Sequence, residues 1–145
     1  MEKQANTYRQ SAVLVPYRKL LDGGYEIFMQ RRSKNAVRFP NHLGFFGGGI
    51  NEGETAEKAL KREIREELDI DISNYNFLGH LEPSNGSIDV FTLEVADDFE
   101  NMVKVNEGQY GKFVRFEDTW KDLLSDGAQM ILKKFEQVII KPKKS

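Results

Sequence analysis

Three glutamates lie close together in one charged segment, Arg62-Glu63-Ile64-Arg65-Glu66-Glu67. If the segment is helical, the three fall on one face, because residues three and four apart are neighbours at 3.6 residues per turn. Carboxylates held this close repel one another unless a cation lies between them. A hard divalent ion such as Mg²⁺ takes oxygen ligands and keeps waters and substrate phosphate oxygens. The spacing therefore predicts a magnesium site, and the alternative is a solvated helix whose glutamates pair with neighbouring Lys and Arg.

A longer pattern surrounds this segment. Gly48 is followed after five residues by Glu54, and after seven more by the run from Arg62 to Ile70. The pattern resembles the signature of the Nudix hydrolase family, whose members include the MutT-like enzymes. One fixed position departs, because Asp69 stands where the family has a helix-ending glycine. We expect a left-handed Asp69 to cost about 1 kcal/mol in local stability, with no effect on metal binding.

The resemblance implies a metal site and its ligands. The implied metal is Mg²⁺, and Mn²⁺ is expected to substitute for it because both accept oxygen ligands. A late segment, from Asn106 to Phe113, resembles a family loop that adds one more carboxylate. By position, the implied ligands are Glu63, Glu66, Glu67, the backbone carbonyl of Gly47, and Glu107.

The resemblance also implies a reaction, the hydrolysis of a diphosphate bond by water. The anionic oxygens of a diphosphate repel a nucleophile, so cations must neutralise them, orient the attack and lower the pKa of a bound water. Glu63 is our first candidate for the general base and Glu107 the second. Arg62 corresponds to an arginine that orients a neighbouring glutamate. Glu54 corresponds to a glutamate that supports this arrangement, or else it is an acid that complements the helix dipole.

Two further residues are candidates for substrate binding. Arg32, at the end of a predicted strand, can bind phosphate bidentately, or it is a surface charge. Asp126 resembles a position that recognises a purine edge in nucleotide-cleaving members, or it is the N-cap of the last helix. Phe45 and Phe46 are interpreted as core residues, with base stacking as the alternative.

The predicted substrate is a nucleoside di- or triphosphate derivative. Nucleotide sugars, dinucleoside polyphosphates and RNA 5′ ends are the alternatives. Members that cleave ADP-ribose or diadenosine polyphosphates resemble one another in a proline or tyrosine past the signature, where this chain has Gly86, Ser87 and Ile88. An arginine that helps to hold oxidised guanine in some members is not evident between Gly86 and Asp89.

Two other functional classes share the resemblance. An isomerase of this fold that rearranges isopentenyl diphosphate needs a cysteine, and this chain has none. Non-catalytic nucleotide-sensing domains typically lose glutamates of the signature, and none is lost here. We therefore expect an enzyme, a pyrophosphohydrolase.

The glutamates must be positioned by secondary structure. The segment from Glu54 to Leu68 lacks glycine and proline and has Thr55 near its start, which predicts a helix capped by that threonine. Asp22-Gly23-Gly24 predicts a hairpin turn between two β-rich runs. The predicted strands are Ser11 to Arg18, Tyr25 to Arg31, Gly44 to Gly49, Asn76 to Leu81, Ser87 to Val95 and Gly111 to Phe116; the other helices are Phe116 to Leu124 and Asp126 to Ile140, and Ser33 to Asn41 is a loop. This order predicts an α/β fold, a Nudix-type α/β/α sandwich with a central mixed sheet.

Composition sets the remaining limits. The 145 residues predict a single domain over 1–145, with probable flexible ends at 1–10 and 141–145. A net charge of −2 gives no support to a long nucleic-acid partner. No apolar run approaches the length that spans a bilayer, so no membrane partner is expected. With no cysteine, the chain is predicted to be cytoplasmic. The expected partner is a small nucleotide substrate, and the chain is expected to be a monomer or a homodimer.

Overall fold

The computed structural model describes residues 8–106 and 109–142. The elements are β1 (Arg9–Lys19), β2 (Tyr25–Arg32), β3 (Leu43–Gly44), β4 (Phe46–Gly49), α1 (Ala56–Leu68), β5 (Asn76–Leu81), β6 (Gly86–Glu94), α2 (Phe99–Met102), β7 (Gln109–Arg115), α3 (Phe116–Thr119), α4 (Asp126–Phe135) and a π-helical turn, Glu136–Ile140. Among these residues, no helix combines the length and apolar character that a bilayer span requires.

Strand β1 organises the sheet. It pairs antiparallel with β2 and β4 and parallel with β6, so the sheet is mixed, as predicted. Strand β2 also pairs with β3 and β7, and β6 pairs with β5 across a bulge between Phe77 and Gly79. In register, Val13 faces Gly47 on β4 and Val90 on β6, so the glycine-rich strand and β6 flank the same stretch of β1.

Hydrophobic side chains cover both faces of the sheet. Alternate residues of a strand point to opposite faces, and β1 accordingly contributes Ala12 and Leu14 to one core and Val15 to the other. The first core contains the buried residues of α1, and the second contains Ile131, Leu132 and Phe135 of α4. The α/β/α sandwich is therefore confirmed.

Helix α1 has the predicted N-cap and the predicted last residue, Leu68, but it begins at Ala56 and not at Glu54. The Thr55 hydroxyl accepts a hydrogen bond from the Lys58 N–H at 3.1 Å, which satisfies one unpaired donor of the first turn. At the other end Asp69 is left-handed, with φ 59° and ψ 37°, in the place where the family has glycine. Both ends of the helix that carries the glutamates are thus defined by local chemistry.

Several predicted boundaries were wrong. Strand β1 begins at Arg9, so residues 9 and 10 lie in the sheet beside Gly86 and Ser87 and not in a flexible end. Of the predicted flexible ends, residues 1–7 and 143–145 lie outside the described residues. Helix α3 stops at Thr119, and the chain continues in turns in which the Lys121 N–H donates to the Asp118 carbonyl and the Asp122 N–H to the Thr119 carbonyl. Helix α4 changes to π geometry after Phe135, and short α2 was not predicted.

Candidate active site

Glu63 and Glu67 lie against the glycines of β4. A Cβ atom added to Gly48 would lie 2.5 Å from the Glu63 carboxyl group, so only glycine leaves this side chain its place. The Gly47 N–H donates to Glu67 Oε1 at 2.8 Å. The contacts between α1 and β4 therefore position two of the three glutamates against one short piece of backbone.

Burial raises the pKa of the Glu67 carboxyl group to about 7. The hydrogen bond from Gly47 acts in the opposite direction, and the negative charges of Glu63 and Glu66 raise the pKa further. A half-buried carboxylate beside two others is an unfavourable anion that a cation would relieve.

Glu66 is more exposed than its two neighbours. Its side chain is 59% exposed, against 17% for Glu63, and it lies 3.9 Å from the Arg62 guanidinium. Within residues 8–106 and 109–142, no three His, Cys, Asp or Glu side chains already converge as a metal cluster. The donor set nevertheless fits a hard divalent ion, because it consists of carboxylate oxygens beside the backbone of Gly47, whose carbonyl is a further oxygen donor.

Arg62 connects the start of α1 to Glu63. Its guanidinium donates twice to Glu54, at 2.8 and 2.9 Å, and once to Glu63 Oε2 at 2.7 Å. It also donates to the Gly49 carbonyl at 2.9 Å. The Arg62 hydrogen bonds lower the pKa of Glu54 to about 2, so Glu54 is a permanent anion at neutral pH. Arg62 is thereby held by Glu54 and in turn holds Glu63.

Glu107 lies outside the described residues, so its predicted role as a ligand or base has no geometry here. The preceding residue, Asn106, lies at the C-terminal end of α1. Its backbone N–H donates to the Glu67 carbonyl at 3.1 Å, and its side-chain amide donates to the Glu66 carbonyl.

A cleft of about 630 Å³ opens on the other side of the β4 glycines. Its lining comes from β1, β4, the start of β6, the start of α4, and the loops that precede β3 and β6. Gly47 and Gly48 line it, so it begins where the α1 carboxylates contact β4. The lining includes three arginines and one carboxylate, Arg9, Arg32, Arg38 and Asp126. This excess of positive charge, in a chain of net charge −2, favours an anionic ligand.

Both predicted substrate-binding residues line this cleft. Arg32 Nε donates to the Arg38 carbonyl at 2.8 Å, which fixes the guanidinium at the end of β2. The alternative reading of Asp126 as an N-cap was wrong, because Ser125 caps α4 by accepting from the Ala128 N–H at 3.1 Å. Asp126 is instead the first helical residue, and it lies in the cleft lining.

The two adjacent phenylalanines separate in the structure. Phe46 is fully buried and stacks on Phe28 with ring centroids 5.6 Å apart, which confirms the core interpretation. Phe45 is half-buried and lines the cleft.

Sequence reasoning missed Arg9, Arg38 and Phe39 as parts of the cleft. Arg9 was placed in a flexible end, and the other two in a polar loop without a role. The one available signal was the pair of a basic and an aromatic residue shortly after Arg31-Arg32.

The NUDIX domain model matches residues 9–131, so the chain belongs to the Nudix family. Over 87 residues it is 36% identical to an uncharacterized Nudix hydrolase of Nostoc, covering 57% of this chain and 52% of that protein. It is 42% identical over 57 residues to the 8-oxo-dGTP diphosphatase of Escherichia coli, covering 39% of this chain and 43% of the relative. It is 40% identical over 60 residues to the nucleoside triphosphatase NudI of Enterobacter, covering 41% and 40%. The chain thus spans about half of these curated relatives or less.

Solved structures share the fold at lower identity. A Deinococcus radiodurans protein superposes with a TM-score of 0.74 at 21% identity, covering 92% of this chain and 88% of that one. A structure from work on MutT of Aliivibrio salmonicida and Vibrio cholerae gives a TM-score of 0.69 at 22% identity, covering 88% and 95%.

Proposed function

We propose that the chain is a Mg²⁺-dependent pyrophosphohydrolase that cleaves a diphosphate bond in a nucleoside di- or triphosphate derivative. The observation that carries the proposal is the placement of the α1 glutamates on one side of Gly47 and Gly48, with an arginine-lined cleft on the other. Polyphosphate oxygens in the cleft would thus lie against Gly47 and Gly48, which the carboxylates contact from the α1 side. A metal at this position would be held by Glu63, Glu66, Glu67, Glu107 and the Gly47 carbonyl.

The chemistry that Mg²⁺ supplies when bound is polarisation of a phosphoryl oxygen and a lower pKa for a coordinated water. The protein contributes position and charge. Glu63, oriented by Arg62, is the first candidate to accept the proton of the attacking water, and Glu107 is the second. Arg32 binds the phosphates, because its guanidinium matches their oxygens in geometry and charge. Asp126 binds the nucleoside end of the substrate.

The partial relatives support the nucleotide class. Two of them are named as a nucleoside triphosphatase and an 8-oxo-dGTP diphosphatase. Both matches cover less than half of either chain, so the particular nucleotide must come from experiment.

The test is a Mg²⁺-dependent screen against nucleoside di- and triphosphates, nucleotide sugars and dinucleoside polyphosphates, with products resolved by mass. Glu66→Gln should lower turnover by orders of magnitude with the fold retained, because a metal ligand loses its charge. Glu57→Gln makes the same change of charge on an exposed residue of the same helix and should keep wild-type turnover.

Two results would overturn the proposal. Near wild-type turnover in Glu66→Gln would show that the glutamates do not form the metal site. A wild-type chain that binds nucleotides but releases no phosphate or diphosphate would favour a nucleotide-sensing role.

A further inference from the structure

An aromatic ring lies at the cleft without belonging to either core. Phe39 lines the cleft, is 43% exposed and is absent from both hydrophobic core clusters. Its ring contacts are local, with the His42 ring at 5.4 Å and the Arg38 guanidinium 5.4 Å from its centroid. Core packing therefore does not explain a phenylalanine at this position.

The backbone of Phe39 makes the residue type more unusual. Its φ is +49°, in the left-handed region that glycine and asparagine adopt most readily and bulky side chains seldom adopt. Asn41, two residues later, has φ +61° and is a residue suited to that conformation. Local folding alone would favour a small residue at position 39 as well.

Hydrogen bonds hold the Phe39 loop to the end of β2. Arg32 Nε donates to the Arg38 carbonyl at 2.8 Å, and Arg31 Nη1 donates to the Asn41 carbonyl at 3.1 Å. The His42 N–H closes a turn onto the Phe39 carbonyl at 3.2 Å. These hydrogen bonds fix the backbone on both sides of Phe39, at the edge of the cleft.

The surroundings of the ring suit a ligand with one planar apolar part and one anionic part. The same cleft contains the apolar side chains of Phe45, Leu124 and Ile131. Arg32 and Arg38 also line it, and neither forms an ion pair with another described residue. A nucleobase joined to phosphates has both properties.

We propose that Phe39 is a substrate-binding residue that stacks on the nucleobase, while Arg32 and Arg38 contact the phosphates. The proposal rests on the proposed function and adds to it a requirement for an aromatic base. Stacking is tolerant of base identity, because every base has a π face. Phe39 should therefore strengthen binding of purine and pyrimidine nucleotides alike.

The test compares Phe39→Asn and Phe39→Tyr with the wild type, using ATP, GTP and CTP as ligands and inorganic tripolyphosphate as a competitor without a base. In Phe39→Asn we expect KM for the hydrolysed nucleotides to rise about tenfold, the factor that corresponds to about 1.4 kcal/mol, with kcat within about twofold. The inhibition constant of tripolyphosphate should not change, and Phe39→Tyr should retain the wild-type KM. The urea midpoint of Phe39→Asn should not fall, because asparagine tolerates positive φ.

Val37→Asn is the matched control. Val37 lies in the same loop, is 98% exposed and does not line the cleft. The KM values of Val37→Asn should therefore equal those of the wild type. An unchanged KM in Phe39→Asn would overturn the proposal. An equal rise in KM and in the inhibition constant of tripolyphosphate in Phe39→Asn would also overturn it, because the base would then make no difference. So would a lower urea midpoint in Phe39→Asn together with an equal rise in KM in Phe39→Tyr, because these results indicate a structural role.

Equilibrium binding of the same nucleotides separates this proposal from the proposed function. If the wild type binds ATP, GTP or CTP without hydrolysing them, the hydrolase proposal fails. The dissociation constants of the Phe39 variants then decide the stacking proposal in place of KM. A wild type that binds none of the three nucleotides overturns the stacking proposal.

Discussion

At the scale of single residues, the ionised Glu67 carboxylate destabilises the metal-free folded state. Burial raises the pKa of this carboxyl group from 4.5 to about 7, despite the hydrogen bond from Gly47. The folded state therefore holds a proton that the unfolded state releases between these two pH values. In the absence of metal, this group makes the fold less stable as the pH rises from 4.5 to 7, and the full cost remains above 7.

Glu67→Gln should therefore stabilise the metal-free protein at pH 8, because an uncharged amide has no such cost. The pKa shift corresponds to a gain of up to roughly 3 kcal/mol. At pH 4.5 the gain should be largely lost, since the wild-type carboxyl group is then protonated in the fold. The measurement is urea unfolding of both proteins in EDTA at the two pH values.

Added Mg²⁺ should raise the wild-type unfolding midpoint at pH 8 more than that of Glu67→Gln, because a ligand that binds only the folded state stabilises it. If Glu67→Gln is less stable than the wild type at pH 8 in EDTA, the prediction is wrong, because favourable contacts of the ionised carboxylate then outweigh the cost of burying it.

At the scale of elements, the candidate site depends on the close approach of α1 to β4. Two adjacent glycines of β4 are required there for different reasons. Gly47 has φ +144°, and an added Cβ would lie 2.2 Å from the Ala12 carbonyl oxygen of the neighbouring strand. At Gly48 the nearest atoms belong instead to the carboxyl end of Glu63. The first glycine is required by the sheet and the second by the glutamate.

Gly47→Ala and Gly48→Ala should separate stability from activity. Gly47→Ala meets backbone that cannot move cheaply, and we expect it to lose roughly 2 to 4 kcal/mol in the free energy of unfolding. Gly48→Ala meets a flexible side chain and should lose less than about 1 kcal/mol. Because it displaces Glu63, its kcat/KM should fall on the order of 100-fold. Urea unfolding and steady-state kinetics on both variants test the pair, and equal behaviour of the two would contradict it.

At the scale of the whole molecule, one ion pair joins the end of β2 to the segment after α3. Arg31 donates to both carboxylate oxygens of Asp122, each at 2.7 Å, across 91 positions of sequence. The same guanidinium holds the Asn41 carbonyl of the Phe39 loop. The Arg31 hydrogen bonds keep the pKa of Asp122 below its ordinary value, so the ionised form stabilises the fold.

Asp122→Asn should cost roughly 1 to 3 kcal/mol at pH 7, since it weakens a bidentate, partly buried pair. The pair's stabilisation is fully present above pH 3.8 and is lost as the pH falls through the lowered pKa of Asp122. The difference in the free energy of unfolding between Asp122→Asn and the wild type should therefore be smaller at pH 3 than at pH 7. Urea unfolding of both proteins at the two pH values measures it. Asp118→Asn removes an exposed pair with Lys121 and should change stability by less than about 0.5 kcal/mol. A difference that does not depend on pH would contradict the ionised pair.

The sequence by itself determined the features that are encoded locally. Helix α1 was predictable with both ends, because Thr55 satisfies an N-terminal donor and Asp69 tolerates the left-handed conformation. The family and the mixed sheet were predictable because a fixed spacing of glycine and charged residues, and the order of strands and helices, are properties of the chain itself. The glutamates and Arg62 were found for the same reason.

Only the tertiary structure decided which distant residues form the cleft. Arg9, Arg38 and Phe39 have no shared pattern in the sequence, and they meet Asp126 because β1, the loop after β2 and the start of α4 converge on the β4 glycines. Asp126, the first residue of α4 after the Ser125 cap, lines the cleft because of this convergence. Hydrophobic periodicity shows which face of each element is packed, but it does not record which distant elements become neighbours, and that pairing decides the lining of the cleft.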